Sequence, residues 1–178
     1  MSKDNNILPA SVIASLYKNN LVLPSAPSPA PMLEKNNAEE VANFTGPIKY
    51  LGEQLKKIMV IVEDTNAVHL NESDFVLLTS ILNACKLTIA DIALINIANQ
   101  KTSLHQMLSE LPSTLVICFA VDAAALKIKL PSTLYKVTQV GDTHLLFSNA
   151  LSSMQGTSVE AKQEKAKLWT ILKKIFEL

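Results

Sequence analysis

The chain has 178 residues with 16 lysines, no arginine and 16 acidic residues, so its formal net charge is zero. Apolar residues make up 48% and charged residues 18%, which excludes a mostly disordered chain. Balanced charge without arginine argues against a domain that binds nucleic acid by itself, because such domains present excess cations to the phosphates. No run of eighteen apolar residues occurs, so we expect no membrane span and a cytoplasmic protein.

The first 36 residues differ in pattern from the rest. Within residues 7–23, Ile13, Leu16 and Tyr17 are apolar side chains that suit one face of a short helix. Four prolines between positions 24 and 31 then predict an extended linker. We therefore expect a helical docking segment at 1–23, a linker at 24–36 and a globular domain at 37–178. A tethered helix either folds back on its own domain or binds a partner, and the sequence leaves both alternatives open.

Strand and helix patterns alternate from residue 57 onward. Continuous apolar runs rich in β-branched residues predict buried strands at 57–62, 91–97 and 114–121, and shorter runs predict strands at 135–140 and 143–147. Three polar patterns predict helix starts, namely Asn71 with Asp74, Ser103 with Gln106, and Thr157 with Glu160. The alternation predicts an α/β domain with three layers and a mainly parallel central sheet that is covered on both faces.

The loop after the first strand is the stretch most like an active site, because ligands of open α/β sheets bind beyond the carboxyl ends of strands. There Glu63 or Asp64 can serve as a general base or bind a metal, with His69 alongside. The alternative is a solvated loop that leads into the Asn71 cap.

Standard cofactor and metal motifs are missing from the sequence. Four glycines supply neither a phosphate-binding loop nor a dinucleotide-binding turn. Cys85 and Cys118 lie in apolar runs and form no Cys-x-x-Cys pair, so we interpret them as buried small side chains. We expect no cofactor and no metal.

Asn96 is a polar residue inside an otherwise apolar strand. A buried side-chain amide costs free energy unless it is hydrogen-bonded. Asn96 therefore either bonds neighbouring backbone groups or faces a pocket, and the structural role is the one we favour.

Taken in order, segments across residues 55–176 resemble the uracil-DNA glycosylase superfamily. The helix at Leu77–Leu82 and the phrase from Lys86 to Ile97 resemble the family's first helix and second strand. The stretch 115–126 is similar to its next strand and small-residue turn, and Lys165–Lys173 is similar to its closing helix. The resemblance implies a glycosylase-like fold.

This sequence departs from the family at its catalytic loops. The first loop reads Glu63-Asp64-Thr65-Asn66, without the family's glycine and proline. Ser148 and Asn149 stand where the family has a histidine and a proline. A hydroxyl cannot carry the positive charge that an imidazole offers to an anionic leaving group. We therefore interpret Glu63, Asp64, Asn66, Asn96, Ser148 and Asn149 as positions of a degenerate site, and we expect no catalytic residue.

The segment Ser148-Asn149-Ala150-Leu151 ahead of a helix with Leu168-Trp169 resembles the psi-subunit family of the bacterial replicative DNA polymerase clamp loader, which is glycosylase-like in fold and inactive. The helical segment and linker before the domain have the same layout as in that family. This resemblance implies a protein–protein adaptor whose partners are clamp-loader or single-strand-binding components, with weak or no direct contact to nucleic acid. Ile13, Leu16 and Tyr17 are the expected partner-binding positions. Two alternatives remain, a divergent glycosylase that uses Asp64 or Asn66 with Asn96, and a small-molecule-binding domain with a pocket near residues 63–66.

Overall fold

A computed structural model describes residues 46–177 of the chain. It has an α/β fold with a five-stranded, mostly parallel sheet and three helices. In chain order these elements are β1 Ile58–Val62, α1 Glu72–Ala84, β2 Ile92–Asn96, α2 Leu104–Glu110, β3 Leu115–Phe119, β4 Val137–Val140, β5 Thr143–Ser148 and α3 Val159–Phe176. The predicted docking segment, with Ile13, Leu16 and Tyr17, and the predicted linker lie outside the described residues.

The strand order is β2-β1-β3-β5-β4, and all neighbouring strands are parallel except the last pair, β5 and β4. The register places Val62 between Asn96 and Phe119, and Phe119 beside Ser148. The four parallel strands therefore end in line, and the loops that follow them meet at one edge of the sheet. We call this edge the carboxyl edge.

Strands β1, β2 and β3 are buried at every residue, as their continuous apolar character predicts. Alternate side chains of each strand enter two separate apolar clusters. Leu78 of α1 and Leu168 of α3 pack in the first cluster, and Leu104 of α2 packs in the second. Both faces of the sheet are thus buried, which explains why these strands show no polar alternation.

The segment around Leu51 covers the outer edge of β2. Leu51 and Leu94 exchange two backbone hydrogen bonds, of 2.9 and 2.8 Å. Gly52 has φ +108°, and a Cβ atom there would lie 2.1 Å from the carbonyl oxygen of Ile92. Only glycine fits this close approach. The segment that it belongs to covers the β2 edge and so keeps this edge from pairing with other chains.

Two of the three predicted helix caps are confirmed and one is wrong. The Asn71 side chain accepts the backbone N–H of Asp74 at 3.0 Å, and Ser103 forms the predicted capping box with Gln106. Helix α3, however, is capped by Ser158, whose Oγ accepts the N–H of Ala161 at 3.1 Å. Thr157 fits the capping-box spacing because Glu160 follows three residues later, whereas Ala161 follows Ser158 at that distance, so the rule selects the wrong one of two adjacent hydroxyl residues.

Both cysteines are free and buried, as predicted. Burial raises the pKa of Cys85 and of Cys118, so neither thiol ionises readily. Among the helices within residues 46–177, none has the length and apolar character that a bilayer crossing requires.

Candidate functional site at the carboxyl edge

The Asn96 side chain, at the end of β2, is only 1% exposed and makes several hydrogen bonds to backbone groups. Its Oδ1 accepts the N–H groups of Asp64 at 3.0 Å and Ala98 at 3.1 Å. Its Nδ2 donates to the carbonyl oxygens of Asp64 at 2.6 Å and Ala67 at 2.9 Å. An amide has two donor hydrogens and two acceptor lone pairs, so this side chain is saturated. Asn96 thus has the structural role that its position in an apolar strand favours.

The Asp64 carboxylate organises the loop after β1. Its Oδ1 accepts the N–H of Asn66 at 2.9 Å, and its Oδ2 accepts the N–H and the Nδ2 of Asn71, both at 3.0 Å. These bonds, the one from the Asn66 N–H above all, lower the pKa of Asp64 against the opposing effect of burial. The carboxylate is therefore ionised at neutral pH, and both of its oxygens accept bonds from the chain itself.

The hydrogen bonds continue from Asn71 to the loop after β5. Asn71 Nδ2 also donates to Asp74 Oδ2 at 2.8 Å, and Asp74 is buried. The second oxygen of Asp74 accepts a hydrogen bond from Gln155. These five side chains, which we call the edge network, link β2, the loop after β1, α1 and the loop after β5: Asn96, Asp64, Asn71, Asp74 and Gln155.

A second group of polar side chains joins the end of β5 to α3. Asn149 Nδ2 donates to Glu164 Oε2 at 2.6 Å, and the Tyr135 hydroxyl donates to the same oxygen. Lys167 donates to Glu164 Oε1 at 2.7 Å. The bonds from Lys167 first and Tyr135 second lower the pKa of Glu164 to about 2. Burial, followed by the bond to Glu164, raises the pKa of Tyr135.

Ser148 is the last residue of β5 and is 1% exposed. Its hydroxyl has no hydrogen-bond partner within the described part of the chain. The Ser148 side chain thus lies below the surface. Asn149, which follows it, fastens the loop to α3.

A small cavity of about 230 Å³ lies between the loops after β1 and β3. The chain continues from β1 to β2 on one side of the sheet and from β3 to β4 and β5 on the other, so these two loops diverge. Such a crevice is the usual ligand site of an open α/β sheet. Glu63, Asp64 and Asp74 line it. Within residues 46–177 no three His, Cys, Asp or Glu side chains come together as metal ligands would.

The structure brings some of the predicted site residues together and separates others. Asp64 contacts both Asn66 and Asn96 through hydrogen bonds, and Glu63 shares the small cavity with Asp64. Asn149 belongs to the second group, and Ser148 precedes it at the end of β5, on the other side of β3 from β1. Sequence reasoning missed four members of these groups: Gln155, Tyr135, Glu164 and Lys167. Only the Glu164–Lys167 spacing gives a local signal for one of these contacts, a common helix pair.

Comparison of the chain with protein-family models and with curated proteins gives no match.

We predict that Asn96→Ala lowers the free energy of unfolding by about 3 kcal/mol, because it leaves several buried backbone groups without partners. The matched control is Asn99→Ala, since exposed Asn99 donates to the same Ala67 carbonyl at 2.9 Å. That variant is expected to cost less than about 1 kcal/mol. Urea unfolding of both variants measures the difference, and equal costs would contradict the structural role of Asn96.

We predict that Glu164 contributes to acid sensitivity. Because its pKa is lowered from 4.5 to about 2, its bonds stabilise the fold fully above pH 4.5 and are lost as the pH falls toward 2. Unfolding measured across that window should depend less on pH in Glu164→Gln than in the parent chain. Glu160→Gln changes an exposed acid in the first turn of the same helix and is the control. An unchanged pH profile in Glu164→Gln would refute this role.

Proposed function

We propose that this chain is a protein–protein adaptor without catalytic activity, built on a glycosylase-like, three-layer α/β fold. The observation that carries the proposal is that polar residues at the carboxyl edge make hydrogen bonds within the chain. Asp64, Asn96 and Asn149, which stand at catalytic positions of the resembling family, each make internal hydrogen bonds. Side chains that hold the backbone in place are not free to bind a base or direct a water molecule.

Catalysis by a glycosylase would require such residues to contact the attacking water or the base. A general base needs an oxygen within hydrogen-bond reach of the attacking water. Both oxygens of Asp64 already accept hydrogen bonds, and the same bonds lower its pKa, which weakens it as a base. The amide of Asn96 is equally committed, so reading a base edge would require the loop after β1 to lose its support.

Ser148, at the other catalytic position of the resembling family, is also unsuited to stabilising the charge of a leaving group. Ser148 is buried and uncharged, whereas a departing uracil anion calls for a donor or a positive charge that it can reach. Extruding a base from DNA needs, in addition, a cationic surface that holds the distorted backbone. Sixteen lysines balanced by sixteen acidic residues, with no arginine, offer little excess charge for that purpose.

The positions of the family-like segments support the glycosylase-like fold. The stretches that resemble the family's first helix and second strand fall on α1 and β2. Those that resemble its next strand and closing helix fall on β3 and α3. The residues at the two departures, 63–66 and 148–149, lie at the carboxyl ends of β1 and β5, where the family's catalytic loops are expected.

Clamp-loader or single-strand-binding components are the partners that the psi-like layout suggests, with the docking contacts made by the N-terminal segment. We expect purified clamp-loader subunits or single-strand-binding protein to bind the immobilised full chain. Joint replacement of Ile13, Leu16 and Tyr17 by alanine should weaken binding at least about tenfold, since apolar anchors dominate such contacts. Lys18→Ala with Asn19→Ala, in the same segment, is the control and should leave binding unchanged. Binding that survives the triple replacement would rule out this docking site.

The absence of catalysis is tested separately with single-stranded DNA that contains uracil, using an active uracil-DNA glycosylase as the positive control. We expect no excision by the full chain. Excision that Asp64→Ala or Asn96→Ala abolishes would overturn the proposal and establish a divergent glycosylase.

A further inference from the structure

A larger cavity lies at the carboxyl edge, between the loops after β1, β2 and β3. Its volume is about 400 Å³, within the range of small-molecule sites. Part of its wall is made of the small side chains Ala98, Ala124 and Ala125. The charged groups that line it are Lys101, Lys127 and Glu63, and we call it the lysine cavity.

The walls of the lysine cavity are held by hydrogen bonds that need no ligand. The backbone N–H of Ile97 donates to the Val62 carbonyl at 3.0 Å, which ties the loop after β2 to the end of β1. On the other side, the N–H of Leu104 donates to the Leu126 carbonyl at 3.0 Å, which ties the loop after β3 to the start of α2. A site formed in advance loses little entropy when a ligand enters.

The charges of the lysine cavity favour an anion. Lys101 and Lys127 come from different loops, and Glu63 is the one carboxylate in the wall. At neutral pH the lining therefore carries one net positive charge. The alanine side chains beside it would pack against an apolar group, so a purely inorganic ion would leave that part of the cavity unfilled.

Thr102 is the independent observation that points to a ligand. The residue lines the cavity and is 3% exposed, and its hydroxyl has no hydrogen-bond partner within residues 46–177. A buried polar group without a partner is costly and is uncommon in folded proteins. The threonine hydroxyl can occupy any of three staggered positions about χ1, so it can turn toward a ligand that supplies an acceptor.

We propose that the lysine cavity binds a small organic anion, with its phosphate or carboxylate group between the Lys101 and Lys127 ammonium groups and its apolar part against the alanines. The Thr102 hydroxyl donates to the anionic group. This inference goes beyond the adaptor function, since neither lysine nor Thr102 belongs to the edge network or to residues 1–23.

Calorimetric titration of the full chain at low salt tests the proposal with four probes: phenyl phosphate, benzoate, inorganic phosphate and benzyl alcohol. We expect an aryl anion to bind, inorganic phosphate to bind more weakly and benzyl alcohol not to bind. Joint Lys101→Gln and Lys127→Gln should weaken binding of the aryl anion about tenfold, and Thr102→Val about fivefold. Phenyl phosphate and benzoate together show whether the preferred anion is a phosphate or a carboxylate.

Lys162→Gln is the matched control, because Lys162 is an exposed lysine of α3 that does not line the lysine cavity. It should leave the affinity unchanged. Thr102→Val keeps the shape of the side chain and removes a buried unpaired hydroxyl, so it should not lower the free energy of unfolding. The proposal is overturned if neither aryl anion binds, if benzyl alcohol binds equally well, or if Lys162→Gln weakens binding as much as the double replacement.

Discussion

The buried amide of Asn96 is the interaction on which the carboxyl edge depends. An amide at 1% exposure is tolerated because both of its polar atoms are fully bonded, to Asp64, Ala67 and Ala98. Those bonds fix the loop after β1 in one conformation. In that conformation the Asp64 carboxylate meets Asn71, which caps α1 and determines where this helix begins. The side chain at the end of β2 thus sets the start of the helix in the connection between β1 and β2.

The carboxyl edge is consequently divided into two regions of different character. On one side, the edge network and the bonds of Glu164 use polar groups to hold loops and helices together. On the other side, Lys101 and Lys127 line the lysine cavity together with Thr102, whose buried hydroxyl has no hydrogen-bond partner within residues 46–177. An α/β sheet ordinarily places its chemistry at this edge. In this chain the side chains of Asp64, Asn96 and Asn149 at this edge make hydrogen bonds within the chain.

Local patterns predict the strands and helices well and the contacts between polar residues poorly. Apolar runs such as 57–62 and the cap at Asn71 depend on neighbours in the chain, so the sequence carries them directly. The bond from Gln155 to Asp74 joins residues 81 positions apart, and Tyr135 meets Glu164 across 29 positions. Nothing local marks such partners, because the sheet register brings them together. Asn96 was the exception, since a lone amide in an apolar strand must find partners.

Hydrogen exchange of individual backbone amides tests the central claim most directly. The N–H groups of Asp64 and Ala98 follow the ends of β1 and β2, yet both donate to Asn96 Oδ1. If the edge network is structural, these two amides exchange as slowly as sheet amides such as that of Val60, and Asn96→Ala removes their protection. Exchange in the parent chain at the rate of an unprotected peptide would show a loop that opens freely, and would contradict the account.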